Sequence, residues 1–192
     1  AQAPAEAAVD EIRSAGGEAV ACSADLTTEE GCARAVETCL TSYGRIDALI
    51  HNAGLSPNLA SPDKVSTRDL DLVMHIGPYA ALWLTRSAWP YMRDQGYGRL
   101  LYISSHAIFG NAGNAPYAAS KTALIGITRA VACEGPEHGI LTNLVLPSAR
   151  TRMSERFAPS QYSDWFLSAM DPEKVSPPVA YLVSETCDIN GE

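Results

Sequence analysis

Positive charge is scarce in this sequence. Fourteen Lys and Arg stand against 22 Asp and Glu, a formal net charge of −8. No basic stripe appears, which excludes the usual electrostatic footprint of a nucleic-acid partner. No apolar run approaches the roughly 20 residues of a membrane-crossing helix, so no membrane partner is expected. No secretory signature stands at the start, and the chain reads as cytoplasmic. The five cysteines (Cys22, Cys32, Cys39, Cys133 and Cys187) are odd in number and lack CxxC spacing. Neither a disulfide framework nor a metal site follows, and they read as reduced packing residues. Internal repeats and low-complexity tracts are also missing. What is present is globular: 192 residues, 46% of them apolar, enough for one domain over 1–192 with a real core.

The pattern alternates helix and strand. Residues 5–15 read as the end of a helix stopped by Gly16-Gly17, and "EAVACSAD" (18–25) as a strand. Thr28 is placed to cap a helix from Glu29 to about Tyr43. "IDALIHNAG" (46–54) reads as a short buried strand running into a glycine turn. Ser66 with Asp69 caps a long helical stretch to about Met92. "GRLLYISS" (98–105) is a further strand. Pro116 suits the first turn of a helix reaching about Cys133, and "ILTNLVLP" (140–147) is a strand stopped by proline. Residues 151–174 are irregular or helical, and 177–185 form a last helix. Continuously apolar strands alternating with helices predict an α/β fold, a doubly wound parallel sheet in a three-layer α/β/α arrangement. Ligands in such sheets bind beyond the carboxyl ends of the strands. Asp25, Asn52–Gly54, Ser104, Ser105 and Pro147–Ala149 all fall at strand ends.

"YAASK" (117–121) adds chemistry to that edge. Positions i and i+4 of a helix share a face, so Tyr117 and Lys121 point the same way. A neighbouring ammonium favours the phenolate and is expected to lower the phenol's pKa, making it a usable general acid or base. Alone, the pattern fits an amphipathic helix with a solvated Lys equally well; the strand-end cluster favours the chemical reading.

Taken in order, "SADLT", "HNAG", "YISS", "YAASK" and "NLVLP" resemble the motifs of the classical short-chain dehydrogenases/reductases over nearly the whole chain. "TRSAWPYM", "YGRLLYISS", "GNAGNAPYAASK" and "PSARTRM" look most like the (3R)-hydroxyacyl-CoA dehydrogenase domain of multifunctional β-oxidation enzymes, and share much with bacterial 3-oxoacyl reductases. The resemblance implies a Rossmann-like fold and an NAD or NADP cofactor, with a lean to NAD. It implies that Asp25 and Leu26 meet the adenine, that Asn52, Ala53 and Gly54 approach a ribose, and that Pro147, Ser148 and Ala149 pass the carboxamide. Tyr117 exchanges a proton with the substrate oxygen, and Lys121 holds the ribose hydroxyls. A serine polarises the carbonyl: counting back from Tyr117 gives Ser104, but strand register from Gly98-Arg99 gives Ser105, which is preferred. Asn143 matches a structural position. The implied reaction is hydride transfer with a secondary alcohol or ketone, a 3-hydroxyacyl/3-oxoacyl thioester first. A ketoreductase on a carrier protein or small ketone is the alternative, as is a catalytically impaired cofactor-binding relative. A homodimer or homotetramer through the two long helices is implied, with Ala80, Ala81 and Ala88 fitting either that contact or the core.

Three departures stand out. His51 replaces the first Asn of the family's NNAG. The Asn of the family's tetrad is Gly77 here, followed by Pro78, which should weaken or kink the helix. His75 lies two positions away, about 200° around a helix of 3.6 residues per turn, and fits a surface residue better than a substitute. The glycine-rich phosphate loop, the first two strands and the last strand are not found. In the family's strand order, 18–25 and 46–54 would then stand three spacings apart, roughly 14 Å at ~4.8 Å each, too far for a ladder. The expectation is a native chain that continues at both ends. Trp165, Phe166 and Met170 could line an acyl pocket, pack in the core or meet a second subunit.

Overall fold

The computed structural model describes residues 4–151, 154 and 159–192. Positions 152–153 and 155–158, within the stretch read as irregular or helical, lie outside the described residues.

Local chemistry sets the helices. α1 (Pro4–Ser14) is followed by α2 (Glu29–Tyr43). Thr28 Oγ1 accepts from the Gly31 N–H at 3.0 Å to start α2, and Gly44, at φ 73°, ends it. Ser66 Oγ accepts from the Asp69 N–H at 3.0 Å and starts α3 (Thr67–Met74). α4 covers Ala80–Gln95, and α5 (Ala115–Glu134) carries Pro116 in its first turn. α6 (Gln161–Ala169) and α7 (Ser176–Leu182) follow.

β1 (Ala48–His51), β2 (Gly98–Ile103) and β3 (Ile140–Val145) form a parallel sheet in the order β1-β2-β3. Ile50 stands opposite Leu101, and Leu101 opposite Asn143. β2 is buried along its whole length because both faces are covered. On one face Leu100 and Tyr102 join Val36, Leu84, Met92 and Leu124 in the core, and Tyr102 Oη bonds Thr85 Oγ1 at 2.5 Å. On the other, the Arg99 guanidinium donates to Ser184 O at 3.2 Å, beyond α7. Ala80, Ala81 and Ala88 are all 0% exposed, so they belong to this chain's own core. Residues 189–192 run beside β3, with Leu144 N donating to Glu192 O at 2.7 Å and Gly191 N to Thr142 O at 2.8 Å. Asn143 fastens them: its Nδ2 donates to Ile189 O and its Oδ1 accepts from Glu192 N.

The expected strand over 18–25 does not form. These residues are mostly exposed, Val20 by 42%, and join no ladder among the described residues. A parallel strand exists through its hydrogen-bonded neighbour, and β1 pairs with β2 alone.

The long stretch from Ser66 stays helical but changes register. Between α3 and α4, His75–Tyr79 forms one π-turn, in which the Ala80 N–H reaches His75 O five residues back. Pro78 sits inside it with no N–H to donate. The Val73 carbonyl accepts from Ser120 Oγ of α5 at 2.8 Å. The approach is close: a Cβ on residue 77 would stand 2.2 Å from Ser120 Oγ. Ser120 can swing aside only by giving up Val73 O. Gly77→Ala is therefore expected to lower the unfolding free energy by about 1–3 kcal/mol, the usual range for overpacking. A urea midpoint unchanged from wild type would show that the π-turn and α5 part without resistance.

Candidate active site

Three adjacent strands deliver their ends to one edge, with Asn52–Gly54 after β1, Ser104-Ser105 after β2 and Pro147–Ala149 after β3. α5 adds Tyr117 and Lys121 from one face. Lys121 is only 4% exposed; its Nζ donates to Ile103 O at 2.7 Å and lies 5.7 Å from the Tyr117 ring centroid. A Cβ on Gly54 would come within 3.2 Å of Nζ, so the glycine keeps a cradle open beside the ammonium.

The two serines divide as strand alternation requires. Ser104 Oγ donates to the Lys121 carbonyl at 2.8 Å and braces α5. Ser105 Oγ accepts from Ala107 N at 3.2 Å, opening the short turn His106–Phe109, and its hydroxyl lies near enough to the Tyr117 phenol to act on it. Burial raises the Tyr117 pKa above the ordinary tyrosine value, and the nearby Ser105 hydroxyl opposes it. This corrects the expected direction: desolvation of a residue only 9% exposed governs the shift, and Lys121 is not among its causes. Burial also pushes Lys121 itself down to about 8.

Among the described residues, no hydrogen bond joins the remaining predicted residues to this group. The Asp25 carboxylate, exposed, accepts from Thr27 N at 2.9 Å and Thr27 Oγ1 at 2.7 Å, which lowers its pKa and shapes the turn into α2. Leu26 packs on the core around Cys32 and Val36. Asn52 and Ser148 are exposed; Ala53, Pro147 and Ala149 are half-buried. Phe166 is buried packing, Trp165 is half-exposed and Met170 half-buried. His75 bonds back to Asp71 O and meets the Tyr79 ring edge to face, with ring centroids 4.9 Å apart.

Three residues of the site were not read from the sequence. Ser120 was visible only as a small residue within YAASK. Asn114 sits at the start of α5 without a capping bond, and its Oδ1, buried, has no partner among the described residues. His51, 2% exposed at the end of β1, bonds Gly77 O through Nε2 at 3.2 Å. Burial, and then the charge of Lys121, push its pKa down to about 4, so the imidazole is neutral near pH 7. The one signal for it was the odd residue of "HNAG". Among the described residues no group of His, Cys, Asp and Glu could hold a metal, and no helix is long and apolar enough to cross a membrane.

Comparison with known proteins places this geometry. The family model described as short chain dehydrogenase matches residues 1–161. The peroxisomal multifunctional enzyme type 2 of Drosophila melanogaster is 39% identical over 191 residues, covering 99% of this chain and 31% of that protein. The peroxisomal hydratase-dehydrogenase-epimerase of Saccharomyces cerevisiae is 38% identical over 187 residues, covering 97% of this chain and 20% of that one. The chain thus spans about a third or less of both relatives. The crystal structure of an NAD+-bound xylitol dehydrogenase superposes with a TM-score of 0.85 at 25% identity, over 97% of this chain and 81% of that one. With its parallel sheet flanked by helices, the chain belongs to the short-chain dehydrogenase family.

Proposed function

We propose that the chain is an oxidoreductase acting between a nicotinamide cofactor and a secondary alcohol or ketone, with a 3-hydroxyacyl/3-oxoacyl thioester as substrate. The observation that carries this reading is the convergence of Ser105, Tyr117 and Lys121 at the strand ends. The open cradle at Gly54 beside Lys121 Nζ fits the ribose half of such a cofactor. Asn52–Gly54 and Lys121 would hold that half, Pro147–Ala149 the carboxamide, and Asp25 with Leu26 the adenine. The cofactor supplies hydride chemistry, which no side chain can.

The chain's own residues handle position and protons. Ser105 donates a hydrogen bond to the substrate oxygen. Tyr117, its pKa raised, keeps its proton at neutral pH and gives it to that oxygen in reduction; in oxidation it takes one. The Lys121 charge stabilises the phenolate left behind. The lean to NAD accords with the dinucleotide named in the xylitol dehydrogenase structure. The thioester reading accords with the multifunctional-enzyme relatives and the motifs shared with them. The proposal includes a homodimer or homotetramer in a reducing compartment, the cytosol.

The test is loss or gain of reduced-nicotinamide absorbance with acyl-CoA thioesters, carrier-protein thioesters and small ketones. Turnover only with small ketones replaces the thioester reading. Dinucleotide binding without any turnover favours an impaired relative, a second reading that Gly77 supports. Within an active protein, Ser105→Ala is expected to cut kcat about 10²-fold, the usual effect of removing one transition-state hydrogen-bond donor. Ser104→Ala should chiefly lower thermal stability. The reverse order assigns the substrate contact to Ser104.

A further inference from the structure

One buried polar ring takes no part in the proposed chemistry. His51 Nε2 faces Gly77 O, and a carbonyl oxygen only accepts, so Nε2 carries the hydrogen. Nδ1 is then a bare lone pair, buried and without a hydrogen-bond partner among the described residues. Folded proteins nearly always satisfy such an acceptor, with protein or with ordered water. Nearby is a donor with capacity to spare. Lys121 Nζ has three N–H groups, and Ile103 O takes one. In the ladder His51 stands opposite Tyr102, and Lys121 Nζ is fixed on the carbonyl of the next residue of β2, Ile103; the Lys121 charge and the Ile76 carbonyl both act on the His51 ring. Beside Nζ, Gly54 presents no side chain. An acceptor, a cation and a carbonyl together meet the two to four polar partners a buried water needs.

We propose that His51 Nδ1 and Lys121 Nζ share a bound water, which makes His51 a positioning residue for the Lys121 ammonium. The imidazole is suited to this because it stays neutral: a protonated ring would offer no lone pair and would repel the lysine. The water gives Nζ a second fixed partner without opening it to bulk solvent. Nζ is thereby held on the Tyr117 side of the site. The inference rests on the proposed function for its catalytic consequence, but not for its geometry.

The rival is a bracing role, in which His51 matters only through Nε2 and the π-turn. Two substitutions separate them. In His51→Asn, Oδ1 takes the place of Nδ1 and the bond to Gly77 O is lost. In His51→Gln, the terminal amide takes the place of Nε2 and the acceptor at Nδ1 is lost. The expected result is a kcat for His51→Gln about tenfold or more below that of His51→Asn, with similar KM for the dinucleotide. Independently of activity, ¹⁵N NMR of the Lys121 side chain should give a lower pKa in His51→Gln than in His51→Asn, because an ammonium that loses an acceptor is less favoured. If His51→Gln is the more active variant, or Lys121 titrates alike in both, the shared water is overturned. If the lysine ordering holds while wild type turns over none of the substrates, the water stands and the functional reading falls.

Discussion

Tyr117→Phe should lower kcat by roughly 10²–10⁴-fold, the contribution of a positioned general acid, while leaving the fold intact. The phenol is nearly buried, so a phenyl ring fills the same space and keeps its contact with Lys121. What disappears is the one transferable proton, carried by the hydroxyl beside Ser105. Thermal unfolding and dinucleotide affinity should stay close to wild type, which separates chemistry from packing. A variant that retains most of its kcat would mean that proton transfer runs through another group.

Lys121→Met has the second large expected effect, and it is double-edged. The lysine's pKa is about 8 in the folded chain against an ordinary 10.5. Between those values the unfolded chain holds a proton the folded chain has shed, so the lysine's destabilising contribution fades as pH rises through that window. Below about pH 8 the whole penalty is present, on the order of 3 kcal/mol at 1.36 kcal/mol per pH unit. Methionine carries no such penalty, though it leaves Ile103 O without its donor at a cost of about 1–3 kcal/mol. The expected signature is a wild type that gains stability relative to Lys121→Met from about pH 8 to about pH 10.5, read from urea unfolding. Turnover of the variant should fall ~10²-fold or more. A stability difference flat across that range would show that the ammonium is not desolvated.

Much of this site was legible because its determinants are local. The helix face that unites Tyr117 and Lys121 follows from their spacing, and the caps at Thr28 and Ser66 sit where their side chains dictate. Strand alternation separated Ser104 from Ser105 before any distance was known. The failures are relational. Residues 18–25 have strand-like composition, but a strand is a property of a pair. The direction of the Tyr117 shift depends on how deeply the ring is buried, which no spacing encodes. Gly77-Pro78 announced a break in the helix but not its form. The π-turn packs against Ser120, more than forty residues away, whose hydroxyl bonds Val73 O. His51 drew notice as an odd letter in a motif, while its unpaired nitrogen exists only in three dimensions.

The contact between residues 77 and 120 also restricts how this sequence can change. A side chain added at 77 collides with the Ser120 hydroxyl, and trimming Ser120 first strips Val73 O of its bond. Each single step is penalised, and the second is penalised less once the first is made, so the two positions show strong epistasis. Directed evolution from this chain that samples one codon at a time will keep glycine at 77, whatever a longer side chain there would add to turnover.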